Sequence, residues 1–229
     1  MIEENIKKLK EEIEETAIKC GRNPEEIIIV GATKTVEPAK IEEAYHNGIK
    51  IFGENKIQEA ERKIPLLSHL DIEWHFIGHL QSNKARKAVK MFKIIQSIDK
   101  FSTLEKVDRI AGELNKIQEI FIEVNTSGEK SKFGLNPDEV IDFIGKAKEL
   151  KNIKITGLMT IGPLTDNESD IRNSFLLLKD LKDKINKFFT DIKIEYLSMG
   201  MTDDFKIAIE CGSNMIRIGR KIFGERKYD

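Results

Sequence analysis

The stretch Ile27-Ile28-Ile29-Val30-Gly31-Ala32-Thr33-Lys34 is apolar on both faces of an extended chain and ends on a primary amine. Strict alternation of apolar and polar residues marks a half-buried strand. A continuous β-branched run marks a strand covered on both sides, as in a parallel sheet flanked by helices. Residues 27–33 therefore predict a buried parallel strand, with Lys34 at its C-terminal end. Comparable runs recur at 49–53, 74–78, 94–98, 120–124, 153–159, 194–199 and 215–219, which makes eight strands. Between them lie amphipathic segments at 37–46, 56–67, 102–115, 137–150 and 168–188, each with one solvated face. An opening helix over 2–20 carries Ile2, Ile6, Leu9, Ile13, Ala17 and Ile18 at helical spacing, and Gly21 with Asn23-Pro24 stops it. The alternation predicts an α/β fold, a single (β/α)8 TIM barrel preceded by an N-terminal helix, with residues 1–229 as one domain. A doubly wound open sheet is the alternative, but it normally stops at about five or six strands.

Composition narrows the function. The chain has 38 basic and 39 acidic residues and a formal charge of −1, so it has no excess of positive charge with which to displace counterions from a polyanion. Nucleic acid is not an expected partner. A charged amphipathic stretch follows Met1-Ile2 without a secretory or membrane-spanning apolar run, so no membrane association is expected and a cytoplasmic location is. Cys20 and Cys211 have neither C-x-x-C spacing nor companions and read as reduced thiols.

In a barrel, chemistry collects at the C-terminal ends of the strands. The polar residues there are Lys34, Glu54-Asn55, His79 with Gln81, Asp99, Asn125, Thr160, Ser198 and Arg220. A lysine after a strand is often a plain loop residue. Lys34 stands apart because an apolar strand leads straight into it, and a sheltered amine suits Schiff-base chemistry. Ser198-Met199-Gly200-Met201-Thr202 follows the seventh strand and Gly219-Arg220 the eighth, where barrels bind phosphate through loop amides and a helix N-terminus. Glycines there read either as close-approach positions or as simple turns. Arg217 lies within the apolar eighth strand and needs a partner, either a ligand at the mouth or a carboxylate from a neighbouring strand. His75 and His79 are four residues apart, but on a strand-to-loop passage that spacing does not place both on one face, and no metal site is expected.

Several motifs together resemble one family. They are Ala32-Thr33-Lys34-Thr35, Phe52-Gly53-Glu54-Asn55, Trp74-His75-Phe76-Ile77-Gly78-His79-Leu80-Gln81-Ser82-Asn83-Lys84, Lys132-Phe133-Gly134, Gly157-Leu158-Met159-Thr160, Ser198-Met199-Gly200-Met201-Thr202-Asp203-Asp204-Phe205, and the run from Gly212 through Arg217-Ile218-Gly219-Arg220 to Arg226. The chain is similar end to end to the YggS/PROSC family of pyridoxal phosphate (PLP) homeostasis proteins, relatives of the alanine racemase barrel domain. The resemblance implies PLP fold type III without the second β-domain. It implies that Lys34 forms an aldimine with PLP, that Ser198, Gly200 and the backbone at Gly219-Arg220 hold the phosphate, and that Arg217 faces the pyridine nitrogen. Asn55, His79 and Met159 would line the pocket. Arg220 departs from the Ser or Thr common in the family, which leaves its backbone amide for the phosphate. Ala32-Thr33 departs from the commoner Val-Ser and should change only packing.

Racemases of this fold draw a tyrosine from a second domain and subunit. Tyr45, Tyr196 and Tyr228 here lie in a helix, in a strand and at the C-terminus, and none is an evident substitute. The expected function is a PLP carrier or regulator, acting as a monomer toward PLP-dependent apoenzymes or amino acids. A PLP enzyme such as an amino-acid racemase or decarboxylase, and a cofactor-free Schiff-base aldolase, are the competing readings.

Overall fold

The computed structural model describes residues 1–225. Eight parallel strands close into a barrel in chain order: β1 Ile28–Ala32, β2 Ile51–Glu54, β3 Glu73–Phe76, β4 Ile94–Ile98, β5 Gln118–Glu123, β6 Ile153–Met159, β7 Tyr196–Ser198 and β8 Met215–Ile218. The helices are α1 Ile2–Lys19, α2 Pro38–His46, α3 Ile57–Leu66, α4 Ala85–Met91, α5 Phe101–Glu113, α6 Val140–Ala147, α7 Glu168–Phe188, α8 Phe205–Glu210 and α9 Arg220–Phe223. The expected (β/α)8 architecture is therefore the observed one. Three helices that the sequence pattern did not announce, α4, α8 and α9, span two turns or fewer, too short for an apolar stripe to repeat. The segment expected as one helix from 137 divides into a 3-10 turn at Pro137–Glu139, capped by the Asn136 side chain on the Asp138 amide at 3.1 Å, and α6.

Apolar residues on both faces of the strands are consumed by two separate compartments. Outward-facing Phe52, Phe76, Ile95, Ile122, Leu158 and Ile216 pack under the helices. Inward-facing Val30, Ile94, Phe121, Met159 and Met215, with Ile28, Ile51 and Tyr196 at their edge, fill the lumen. The barrel closes where β1 meets β8, with Val30 beside Arg217 and Gly31 beside Ile218. Helix α1 lies across this seam against α2, α8 and α9. Arg22 reinforces it by donating from Nη1 to the Ile209 and Ser213 carbonyls, both at 2.7 Å.

Gly78 fixes the geometry of the mouth between β2 and β3. A Cβ at this position would stand 2.1 Å from the Asn55 carbonyl oxygen, a backbone atom that cannot yield. The Gly78 carbonyl in turn accepts the Ser97 hydroxyl at 2.5 Å. Gly78→Ala should cost at least about 2 kcal/mol. Gly145→Ala on α6, where the nearest atom to a new Cβ is 3.9 Å away, should stabilise by about 0.5–1 kcal/mol. Urea unfolding of the two variants checks the contrast.

Candidate functional site

Lys34 is held from both sides. On one side, the Thr33 amide and hydroxyl donate to the Gly53 carbonyl at 3.0 and 3.1 Å, and its hydroxyl also reaches Glu54 Oε1 at 2.7 Å. On the other, Thr35 has φ of 62°, a left-handed conformation that costs a β-branched residue about 1–3 kcal/mol. Its amide donates to Glu59 Oε2 at 2.9 Å, which helps hold the turn. Beneath both lies Lys63 of α3, buried, donating to the Thr33 carbonyl at 2.7 Å, Glu54 Oε1 at 2.7 Å and Glu59 Oε2 at 2.9 Å. One buried cation thus ties the end of β1 to the end of β2 and to α3. Burial pushes the Glu54 carboxyl above its ordinary range despite Lys63, and its Oε2 has no partner. Burial works the same way on Glu59, but the Lys63 and Thr35 hydrogen bonds outweigh it and hold that carboxyl low. With its neighbours spoken for, the Lys34 Nζ enters no hydrogen bond or ion pair among the described residues.

Arg217 rises from β8 on the strand next to β1, at the same end of the barrel. Its Nη1 donates to the Ser198 carbonyl at 2.7 Å and the Ser198 hydroxyl at 2.8 Å, and its Nη2 to the Thr160 carbonyl at 2.7 Å. All three acceptors are neutral. Among the described residues no carboxylate lies within ion-pairing distance, so of the two expected partners the carboxylate is not the one found. Burial draws the guanidinium down to about 10, while Asp204 and Glu123 act in the opposite direction from farther away. Glu123, at the end of β5, is pushed up to about 7 by burial and then by Asp99, with Arg217 opposing. Among the described residues Arg217 is thus a buried cation without a paired carboxylate, and Glu123 is a carboxyl at the same mouth held well above its ordinary range.

The other expected residues gather around this mouth with differing tasks. Asn55 is half-buried with its backbone against Gly78, and Met159 packs in the lumen. His79 stacks on Phe133 with ring centroids 3.8 Å apart and planes 13° from parallel, its Nδ1 3.9 Å from Asp99 Oδ2. Gly200 takes φ of 97° and lies so close to α8 that a Cβ would meet the Ala208 Cβ at 2.6 Å. Its neighbour Met201 donates its amide to Asp204 Oδ1 at 2.6 Å. Gly219 caps α9, and the Arg220 side chain pairs with Asp203 and, at 3.8 Å, with Glu225. That engagement turns the guanidinium to its own neighbours. Ser198 is fully buried, its hydroxyl donating to Gln96 Oε1 at 2.6 Å and accepting from Arg217. A hydroxyl has one proton, so this one is already committed.

Asn125 and Thr160 organise the rim. The Asn125 amide donates to the Glu129 carbonyl and accepts from Ser127 and Gly128, and the Thr160 hydroxyl donates to the Val124 carbonyl. Gln81 is exposed ahead of a 3-10 turn. His75 and His79 part company, the first in the lumen and the second at the rim. Tyr45 lies on α2 and Tyr196 stacks on Phe121 inside the barrel, while Tyr228 and Arg226 fall outside the described residues. The residues the sequence reading missed are Lys63, Glu59, Gln96 and Glu123. Gln96 had a usable signal, a long polar side chain inside the apolar run of β4.

The whole arrangement has known counterparts. Residues 2–227 match the family model described as alanine racemase, N-terminal domain. A pyridoxal phosphate homeostasis protein of Aquifex aeolicus is 39% identical over 98% of both chains. One from Synechocystis is 43% identical over 89% of this chain and 93% of that protein. The chain belongs to the pyridoxal phosphate homeostasis protein family, within the class built on the alanine racemase barrel domain. PipY of Synechococcus elongatus, solved with PLP bound, superposes with a TM-score of 0.87 at 32% identity, over 98% of this chain and all of that one. Alanine racemase of Clostridium difficile shares the fold, with a TM-score of 0.76 at 18% identity; this chain spans 57% of it.

The Glu123 shift has a stability consequence with a definite sign. A carboxyl raised from 4.5 to about 7 holds its proton more tightly in the native state. Its contribution is full below 4.5 and lost as pH rises through 7. Glu123→Gln should therefore be more stable than the parent by about 2–3 kcal/mol at pH 8.5 and should match it below pH 4.5. Urea unfolding at the two pH values measures the difference.

Proposed function

We infer that the protein holds pyridoxal 5'-phosphate on Lys34 and takes part in PLP homeostasis as a carrier or regulator without turnover. The observation that carries this reading is the presence, at one end of the barrel, of a lysine amine with no protein partner and a buried arginine with no counter-ion among the described residues. An anionic carbonyl compound answers both. The PLP-bound structure of PipY, alike over nearly the whole chain, supports it. When bound, the cofactor supplies an aldehyde for an amine and an aromatic ring that can withdraw electrons.

The chain's own residues set what can follow. The turn pinned by Thr33, Thr35 and Lys63 keeps Lys34 from wandering, so little freedom is lost on condensation. The Gly200 loop, at φ of 97°, and the Gly219-Arg220 amides at the start of α9 suit a phosphate. Arg217 is still protonated at neutral pH and offers only N–H donors. A ring nitrogen facing it accepts a hydrogen bond but no proton, which weakens electron withdrawal. Tyr45 on an outer helix and Tyr196 at the far end of β7 do not reach the mouth as a second base. We place this activity in the cytoplasm, in a monomer that exchanges PLP with amino acids or apoenzymes.

One observation favours a second reading, slow chemistry on amino acids: Glu123 titrates near neutrality at the mouth. Exchange of amino-acid α-protons into deuterated water, abolished in Glu123→Gln, would establish it.

Lys34→Ala should remove the near-visible absorption band of lysine-linked PLP and weaken binding at least about 100-fold, with residual affinity from the phosphate loops. Absorption titration, with borohydride trapping and peptide mapping of the parent, checks it; an unchanged band in the variant overturns the assignment.

A further inference from the structure

The lumen holds a continuous line of polar side chains that runs inward from Arg217. Arg217 Nη1 donates to Ser198 Oγ at 2.8 Å, and Ser198 Oγ donates to Gln96 Oε1 at 2.6 Å. The Gln96 amide nitrogen faces His75 Nδ1 at 2.7 Å, and His75 Nε2 faces Glu73 Oε1 at 2.8 Å. Glu73 opens β3 at the opposite end of the barrel, where its side chain is 42% exposed. The line crosses the lumen from one mouth to the other through three residues, Ser198, Gln96 and His75, that are almost wholly shut off from water.

Its direction follows from the Gln96 oxygen standing against Ser198 together with donor and acceptor chemistry. Arg217 can only donate, so Ser198 accepts from it and passes its single proton to Gln96 Oε1. That turns the Gln96 NH2 away from Ser198, toward His75 Nδ1 and the Met215 sulfur at 3.3 Å. His75 Nδ1 must then be a bare acceptor, its proton sits on Nε2, and Glu73 receives it as a carboxylate. The hydrogen bond from His75 holds that carboxyl below its ordinary range. Every donor points the same way, away from the ligand mouth, and no member can reverse without its neighbours reversing too.

We propose that Gln96 and His75 are positioning residues for Arg217: the one-way file from Arg217 through Ser198, Gln96 and His75 to Glu73 fixes the guanidinium at the ligand mouth from the far end of the barrel. Arg217 has no carboxylate to orient it, and the Ser198 hydroxyl has a settled lone pair to offer only because Gln96 takes its proton. Gln96 settles Ser198, His75 settles the Gln96 amide, and Glu73 selects the His75 tautomer. The effect on cofactor binding rests on the PLP reading above, whereas the tautomer does not.

Long-range 1H–15N spectra of 15N-histidine-labelled protein read the tautomer without PLP. His75 should show a protonated Nε2 and a bare Nδ1; a protonated Nδ1 overturns the file. Gln96→Leu should raise the PLP dissociation constant about tenfold and shift the absorption maximum at saturating PLP. Binding within twofold of the parent with an unshifted band, in a variant whose circular dichroism is native, denies the positioning role. If Gln96→Leu does not fold, Glu73→Leu at the exposed end serves. It should give about twofold to threefold weaker PLP binding, and parental affinity counts against the proposal. Failure of the parent to bind PLP would instead defeat the functional reading and leave the tautomer result standing.

Discussion

The closing register of the barrel is the constraint on which the site depends. β1 and β8 come from opposite ends of the sequence, and their pairing sets Val30 beside Arg217 and Gly31 beside Ile218. From that register the loop carrying Lys34 and the strand carrying Arg217 share one mouth. Strand side chains alternate between faces, so a slip of one residue would turn Arg217 under the helices and Ile216 or Ile218 into the lumen. Such a slip would bury a charge in the outer apolar compartment. The seam is also where the N-terminal segment is spent, with α1 laid across it and Arg22 bonded to carbonyls on both sides of the turn into β8. The opening helix thus contributes to function by keeping two distant pieces of chain in register.

The two halves of the mouth manage buried charge in opposite ways. Beneath Lys34, Lys63 meets two carboxylates and a carbonyl, so a strained turn is held by a network that is nearly complete within the protein. Around Arg217 there are only neutral oxygens. Removing one member from the first network would strand a charge, a cost of about 3–5 kcal/mol, which makes it a rigid support. The second arrangement is electrostatically incomplete and gains from an anionic ligand. On the PLP reading proposed above, covalent capture by Lys34 and charge recognition by Arg217 fall to two elements that meet at the seam.

The fold was legible because burial on both faces leaves a clear trace: eight mostly apolar runs, nearly all with a polar residue at or just after the end. Lys34 was legible for the same reason, as the polar residue that ends the cleanest run. What escaped were residues whose sequence context belongs to another environment. Glu59 and Lys63 stand four apart on α3 and read as a solvent-facing pair, yet both are buried beneath the Lys34 turn. Gln96 and Glu123 sit at inward positions of otherwise apolar strands, where only knowledge of which face is the lumen gives them meaning. The family resemblance assigns Ser198 to the phosphate. Its hydroxyl is committed to Gln96 and Arg217, partners contributed by β4 and β8 that no local pattern brings together.

Stability does not account for the polar file in the lumen. A buried hydrogen bond contributes only about 1 kcal/mol net, and well-packed apolar residues commonly match or better a buried polar group of similar volume. Val30, Ile94, Phe121, Met159 and Met215 already fill much of this lumen in that way. What aliphatic packing cannot do is orient a guanidinium, because it offers no acceptor. The Ser198 and Thr160 carbonyls fix two of its N–H groups, and the Ser198 hydroxyl completes the set only when its own proton has somewhere to go. That requirement propagates through Gln96 and His75 until it meets a carboxylate at the edge of solvent. The file ends on Glu73, whose half-exposed carboxylate gives the last proton of the line an acceptor.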